Sequence, residues 1–439
     1  MKPYDWQLPL VDAVVRSLTK DRVFISGFPT GSGKTVISLA AAKLTGGPHL
    51  VVAPKVSLTQ WRRVAEAMGV ADQLVDVINP EKISTPRGCR YYTRGAKWSL
   101  PDGTTVIWDE PHRSASGVDG ITTQALADLK AYSSIRLHAM SATLADSPLK
   151  LRALGWWTGL HEYNAGSFYS WCRANGCRTV TIGWGANERQ VFQFTRDPDE
   201  SKEIMTRIRQ SMGEKFMAMR AEDIPGFPTQ TLDTILLDLS SRDTAEIRRA
   251  YEEMSMRMKT TALDDRAELG RACQRAEFVM AEAVAELAAG YEEDGNSPVV
   301  FFSYTEARER FEATLTKRGL RFANIYGGQK ELTRQQGIDA FQRNDIHVMS
   351  VMTQAGGASL SLHDVLKQRP RISLILPSWN ASTVKQCLGR ILRCEGTHAA
   401  QYFVLAAGTV QEKVAQTLKR KMNNIDSFND AITDDDLTP

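Results

Sequence analysis

One segment, RVFISGFPTGSGKTVISLAAAKL, restricts the folds open to this chain more than any other. Arg22 to Ser26 is a short run of β-branched and aromatic residues, and Thr35 to Leu44 is alanine-rich with helical periodicity. Between them, GFPTGSGKT packs glycines, a lysine and hydroxyls into a few residues. A glycine loop leading from a strand into a helix N-terminus is a nest for phosphate: backbone N–H groups and the positive helix end face the anion. Lys34 would neutralise charge, and the hydroxyl of Thr35 could reach a magnesium ion. The loop breaks the strict pattern G-x-x-x-x-G-K-[ST], because Phe28 stands where the first glycine belongs and Gly27 sits one residue early. That position can turn its side chain away from the nest, so Phe28 need not block phosphate. A chance run of small residues is the competing reading.

A second segment decides between them. TTVIWDEPHR, Thr104 to Arg113, reads as an apolar strand ending in adjacent carboxylates. In a sheet shared with the glycine loop, Asp109 would hold magnesium through water and Glu110 would polarise the attacking water. Acidic residues also end strands in ordinary polar turns. A second site in the right order and context outweighs that alternative.

Composition bounds the rest. A chain of 439 residues suggests two or three domains of about 150 residues each. A hydrophobic content of 42% with 24% charged residues is that of a soluble globular protein. No apolar run approaches the roughly 20 residues needed to cross a bilayer, and MKPYDWQLPL lacks the apolar core of a signal peptide. The expectation is an intracellular, cytoplasmic protein with no membrane partner. Its six cysteines are scattered without a CxxC pair, and the neighbours Cys172 and Cys177 have no second pair to complete a zinc site. Free thiols are expected. A net charge of +3 permits a phosphate-rich partner without requiring one.

PTGSGKT, DEPH and the SAT of Ser141 to Thr143 resemble motifs I, II and III of superfamily 2 helicases and translocases. In that family the first position of motif I often tolerates a residue other than glycine, as Phe28 requires. Pro111, where alanine or glycine is common, is a second departure and bears on loop geometry. PKVSLTQW, Pro54 to Trp61, resembles motif Ia of the Swi/Snf-like group, and VVFFSYTEA, Val299 to Ala307, has the form of motif IV. TQAGGASLSLHD resembles motif V, WNASTVKQCLGRILR resembles motif VI with its preceding Trp-Asn, and AAGTVQEKVAQTLKRK resembles the helix that follows. The likeness runs in order over nearly the whole chain.

In KQCLGRILR, Arg390 and Arg393 lie one turn apart if the segment is helical, with Gln386 a turn earlier. Two guanidiniums presented together can clamp a γ-phosphate and stabilise transition-state charge; a solvated basic face is the alternative. The resemblance gives the arginine-finger role to Arg393 and a sensing role to Arg390. It places Gln7 of PYDWQ at the adenine edge, which the donor and acceptor of an amide suit. Thr30, Gly31, Ser32, Gly33, Lys34 and Thr35 are expected to bind the nucleotide with Gly357 and Gln386, and Thr35 and Asp109 to hold magnesium. Lys34, Asp109, Glu110, Arg390 and Arg393 form the expected catalytic set, while Lys55, Ser141, Thr143, Ser303 and Gln354 are expected at nucleic acid.

The resemblance thus implies an α/β protein with two RecA-like parallel-sheet lobes in tandem, with a mixed insertion and a helical segment between them. Lobe 1 is assigned to residues 1–155, an insertion with a hairpin (Arg178 to Phe194) to 156–228, a strand and helices to 229–295, lobe 2 to 296–426 and an acidic tail to 427–439. ATP with magnesium is expected between the lobes. The expected activity is ATP-driven translocation on duplex or branched DNA without sequence preference, by a compact bacterial or phage motor working as a monomer or beside a replication or recombination partner. Strand separation on DNA or RNA is the second reading, and an ATP-gated binding subunit the third.

Overall fold

The computed structural model describes residues 1–85, 89–93, 97–115, 117, 119–182, 188–260, 265–356, 360–376, 381–394, 396–409, 411–412, 415 and 422. The chain divides into two compact units: among the described residues, the first takes 1–179 and 192–225, the second 180–182, 188–191 and 226–422. The acidic tail and Gly357 lie outside the described residues.

The first unit is built on β1 (Val23–Gly27), β2 (His49–Val52), β3 (Leu74–Ile78), a short ribbon of β4 (Tyr92–Thr93) and β5 (Lys97–Trp98), and then β6 (Thr105–Asp109) and β7 (Arg136–Met140). A hairpin of β8 (Cys177–Ile182) and β9 (Arg189–Phe194) follows, and then β10 (Phe216–Ala218). One six-stranded sheet takes these strands in the order β10-β1-β7-β6-β2-β3, every pair parallel. β1, β2 and β6 are buried at every position, as strands covered by helices on both faces must be. Alternate residues serve opposite sides. Leu50, Val106, Trp108 and Leu137 fill one core, while Val51, Ile107, Met140 and Trp61 fill the other. β10 lies inside the segment expected to be an insertion, and it completes the edge of this sheet beside β1.

The register explains why chemistry gathers at one edge. Ser26 of β1 and Asp109 of β6 both stand opposite Met140 of β7, so three strands end at the same level. The loops that leave them open together at the carboxyl end of a parallel sheet, where such folds bind their ligands.

The second unit repeats the plan with β11 (Gln230–Leu237), β12 (Ser297–Phe302), β13 (Phe322–Ile325), β14 (Val348–Met352), β15 (Arg371–Ile375) and β16 (Ala399–Ala406). Their order is β11-β16-β15-β12-β14-β13, again parallel throughout. The helix Asp265–Glu293 lays Ala276, Met280, Val284 and Ala288 into a core shared with Val300, Phe302 and Leu374. These residues fall three or four apart, the spacing of one helical face. Two tandem parallel-sheet units of this kind are RecA-like lobes. No helix among the described residues is long and apolar enough to cross a membrane, and all six cysteines are free thiols.

Candidate nucleotide site

The glycine loop is shaped by its two positive backbone angles, φ 90° at Gly31 and 76° at Gly33. An L side chain rarely adopts this region. At Gly33 it would also meet an obstacle, since a Cβ would lie 2.5 Å from Nε2 of Gln7. The helix Lys34–Thr45 begins immediately after, with Gly33 as its N-cap, so its first N–H groups point into the loop. Phe28 does turn away from the nest: it is fully buried among Leu10, Val14, Phe24 and Ile37. Its side chain anchors the loop that its backbone helps to form. Lys34 Nζ donates to the carbonyls of Phe28 and Pro29, each at 3.0 Å. Thr30, Gly31 and Thr35 are half-buried, and Ser32 is buried with its hydroxyl on the carbonyl of Pro29.

Gln7 bonds protein groups with both ends of its amide. Its amide is buried at 1% exposure; Oε1 accepts from Tyr4 N at 2.9 Å and Nε2 donates to Ser32 O at 2.7 Å. The side chain braces the glycine loop from behind.

Asp109 and Glu110 close β6. Asp109 is 7% exposed, and its Oδ2 accepts from Trp61 Nε1 at 3.2 Å, which fixes the carboxylate next to the phosphate loop. Glu110 takes φ 53°, a strained angle for a side-chain-bearing residue, while its N–H bonds Met140 O at 2.8 Å. Pro111 opens the helix Pro111–Ser114 at the first position. A following proline favours extended backbone before it, so the left-handed angle at Glu110 is held against that preference.

A hydrogen-bonded set then holds Glu110. Ser141 Oγ lies 2.5 Å from Glu110 Oε2 and 2.9 Å from His112 Nδ1, and it accepts from Thr143 N at 2.9 Å. Thr143 Oγ1 lies 3.2 Å from His112 Nε2. A carboxylate can only accept, so the single hydroxyl proton of Ser141 goes to Glu110. His112 must then carry its proton on Nδ1 and accept from Thr143 on Nε2. Burial pushes the His112 pKa down to about 4, which keeps the ring neutral in this arrangement. Ser26 Oγ meets His138 Nε2 at 2.7 Å, and burial pushes His138 down to about 3. Ser141 and Thr143, expected at nucleic acid, are 0% and 1% exposed, with Ser141 Oγ on Glu110 and Thr143 Oγ1 on His112. Lys55, by contrast, is exposed at the start of the helical segment that leads to Trp61.

In the second unit the helix Ala381–Leu388 stops before the arginines expected on its face. Gly389 follows it in a turn, with Arg390 in a bend and Arg393 in irregular chain beyond. They still converge. Arg390 Nη1 bonds Leu360 O at 3.4 Å; Arg393 Nη2 bonds the same carbonyl at 2.7 Å, and its Nε bonds Ser361 Oγ at 3.2 Å. Burial, with the adjacent Arg390 guanidinium second, pushes the Arg393 pKa down to about 9. Gln386 is buried at 3% exposure and Gln354 is exposed. Ser303 turns its N–H to Glu277 Oε1 at 2.8 Å, and its hydroxyl is buried without a hydrogen-bond partner among the described residues. A carboxylate at Glu277 was not foreseen: burial lifts its pKa to about 8, against the N–H bonds from Tyr304 and Ser303.

The loop and carboxylate fit a magnesium nucleotide. Two left-handed glycines, a helix N-terminus and a lysine form the phosphate cradle. No group of three or more His, Cys, Asp or Glu that could hold a metal occurs among the described residues. A magnesium ion here would lean on Thr35, Asp109 and the phosphates themselves, as that ion commonly does.

Known proteins resemble this chain in part or nearly throughout. The family "Helicase conserved C-terminal domain" matches residues 280–395, which span β12 to β15 and both arginines. The Acanthamoeba polyphaga mimivirus protein named "Putative ATP-dependent RNA helicase L364" is 25% identical over 463 residues, covering 98% of this chain and 84% of that protein. DNA repair protein RAD5 of Cryptococcus neoformans var. neoformans serotype D is 26% identical over 128 residues, 28% of this chain and 10% of its own length. Residues 280–395 thus carry a helicase C-terminal domain, and with the tandem lobes these similarities support an enzyme of the nucleic-acid-dependent ATPase, helicase type.

Proposed function

We propose that the chain is a Swi/Snf-like motor that couples ATP hydrolysis to movement along duplex or branched DNA without reading its sequence. The observation that carries the hydrolytic part is the clamp on Glu110: Ser141 and His112 fix a carboxylate in a strained backbone at the sheet edge that also bears the phosphate loop. A module that only gripped nucleotide would have no use for that arrangement. The Swi/Snf-like, DNA-directed part is supported by the motif Ia tryptophan, Trp61, bonded to Asp109, and by the partial likeness to a protein named for DNA repair.

Magnesium, when bound with ATP, would neutralise charge on the phosphates. Lys34 exchanges the carbonyls of Phe28 and Pro29 for phosphate oxygens. Thr35 and Asp109 would hold the ion, and the indole of Trp61 keeps Asp109 in place. Glu110 orients the attacking water, and Arg390 and Arg393 stabilise charge on the transferred group. Gln7 keeps the loop in shape through Ser32, and an adenine contact by the same amide is part of the proposal. Lys55 and Gln354 touch backbone phosphates, which position a strand without reading it.

The second reading, strand separation on RNA or DNA, is favoured by the near full-length likeness to a protein named an RNA helicase. ATP turnover measured with single-stranded DNA, blunt duplex, a branched junction and RNA separates the two. Strong stimulation by duplex or junction is expected, with displacement of a third strand from a triplex. Stimulation by RNA or single strands alone would overturn the DNA-translocase reading.

A further inference from the structure

The helices Ser241–Thr260 and Asp265–Glu293 of the second unit enclose a cleft of about 620 Å³. Its walls carry Arg242 and Arg249 from one helix and Arg271 and Arg275 from the other, against the two carboxylates Glu246 and Glu253. An ordinary solvated helix face would join these charges in pairs four residues apart, Arg242 with Glu246 and Arg249 with Glu253. Those pairs are not formed. Glu246 instead pairs across the cleft with Arg275, which ties the two helices together. Arg242 and Arg249 are exposed and have no ion-pair partner among the described residues. One carboxylate is therefore occupied, and the cleft keeps an excess of cationic side chains.

Spacing narrows the ligand. Arg242 and Arg249 are two turns apart on one face, about 10.5 Å along the axis at 1.5 Å per residue. Arg271 and Arg275 are one turn apart on the facing helix. A row of guanidiniums, each with a forked set of donors, suits repeated phosphates better than one small anion.

We propose that this cleft is an additional phosphate-backbone site, which holds a nucleic-acid strand while the motor turns over. It rests on the nucleic-acid-dependent reading of the chain and adds a contact outside the helicase motifs. The cleft lies at the surface, so charge changes there leave the core untouched.

The test is the double variant Arg242→Glu/Arg249→Glu in the full chain, with Arg242→Gln/Arg249→Gln as the milder pair. Fluorescence anisotropy gives the affinity for a labelled strand across a salt series, and ATP turnover is measured without nucleic acid in parallel. Basal turnover should stay unchanged. Affinity should fall at least about tenfold, and the slope of log affinity against log salt should shrink by about two, one per lost phosphate contact. The glutamine pair should show the same direction with a smaller loss. Wild-type affinity and slope in the double variant would overturn the cleft while leaving the motor intact. Failure of the wild-type chain to bind any strand would overturn both. Inorganic phosphate and pyrophosphate form the other arm: if they raise the thermal midpoint of the wild type and not of the variant, while strand affinity is equal in both, the cleft takes small phosphates and the strand proposal is wrong.

Discussion

Gly33 shows how closely single residues are specified in this site. Alanine there would need the left-handed region at a cost of about 1–2 kcal/mol and would push its Cβ against Gln7. Gly33→Ala should lower kcat/KM for ATP at least about tenfold with the circular dichroism spectrum retained. An unaltered value would mean that the loop tolerates a different shape. Ser141 gives a sharper distinction, because its buried hydroxyl serves Glu110. Ser141→Ala should lower kcat by about tenfold or more and leave the affinity for nucleic acid nearly unchanged; a selective loss of affinity would restore the direct contact that the motif suggested. Lys34, Asp109 and Glu110 were legible because their chemistry depends on local order along the chain. The inward turn of Ser141 and Thr143 was not. It depends on His112 being brought under them by a neighbouring strand, a tertiary fact that the sequence spacing does not carry.

Elements were legible where periodicity is strong and obscure where a terminator interrupts it. β1 and β6 follow apolar runs that can be read directly, and the helices expected within 229–295 stand at Ser241–Thr260 and Asp265–Glu293. The motif VI helix was read through Gly389, a residue that ends helices readily, because Ile391 and Leu392 continue to alternate with polar neighbours. Those apolar residues are buried from a bend and the irregular chain after it instead. β10 was missed because three residues, Phe216–Ala218, are too few to show a period.

The strand ends also set a pH limit. His112 and His138 are held neutral with pKa near 4 and 3, against about 6.5 when unfolded. Between those values the unfolded chain binds more protons, so stability falls as pH drops from about 6.5 towards 4 and is insensitive to these groups at higher pH. His138→Gln keeps an acceptor for Ser26 and takes up no proton. Thermal midpoints followed from pH 7 to pH 4 should therefore fall less steeply in that variant than in the wild type, and parallel curves would contradict the assignment.

At the scale of the whole molecule, two parallel-sheet lobes carry one set of motifs in order, and the first lobe alone assembles a strained glutamate, a tethered aspartate and a phosphate nest. Such a set suits a motor whose grip on a strand changes with each nucleotide. The most direct measurement is steady-state ATP turnover of the purified chain, alone and with saturating nucleic acid, beside Lys34→Ala. Turnover that rises strongly with nucleic acid and disappears in the Lys34→Ala variant is the predicted result; turnover indifferent to nucleic acid, or retained without Lys34, would contradict the account.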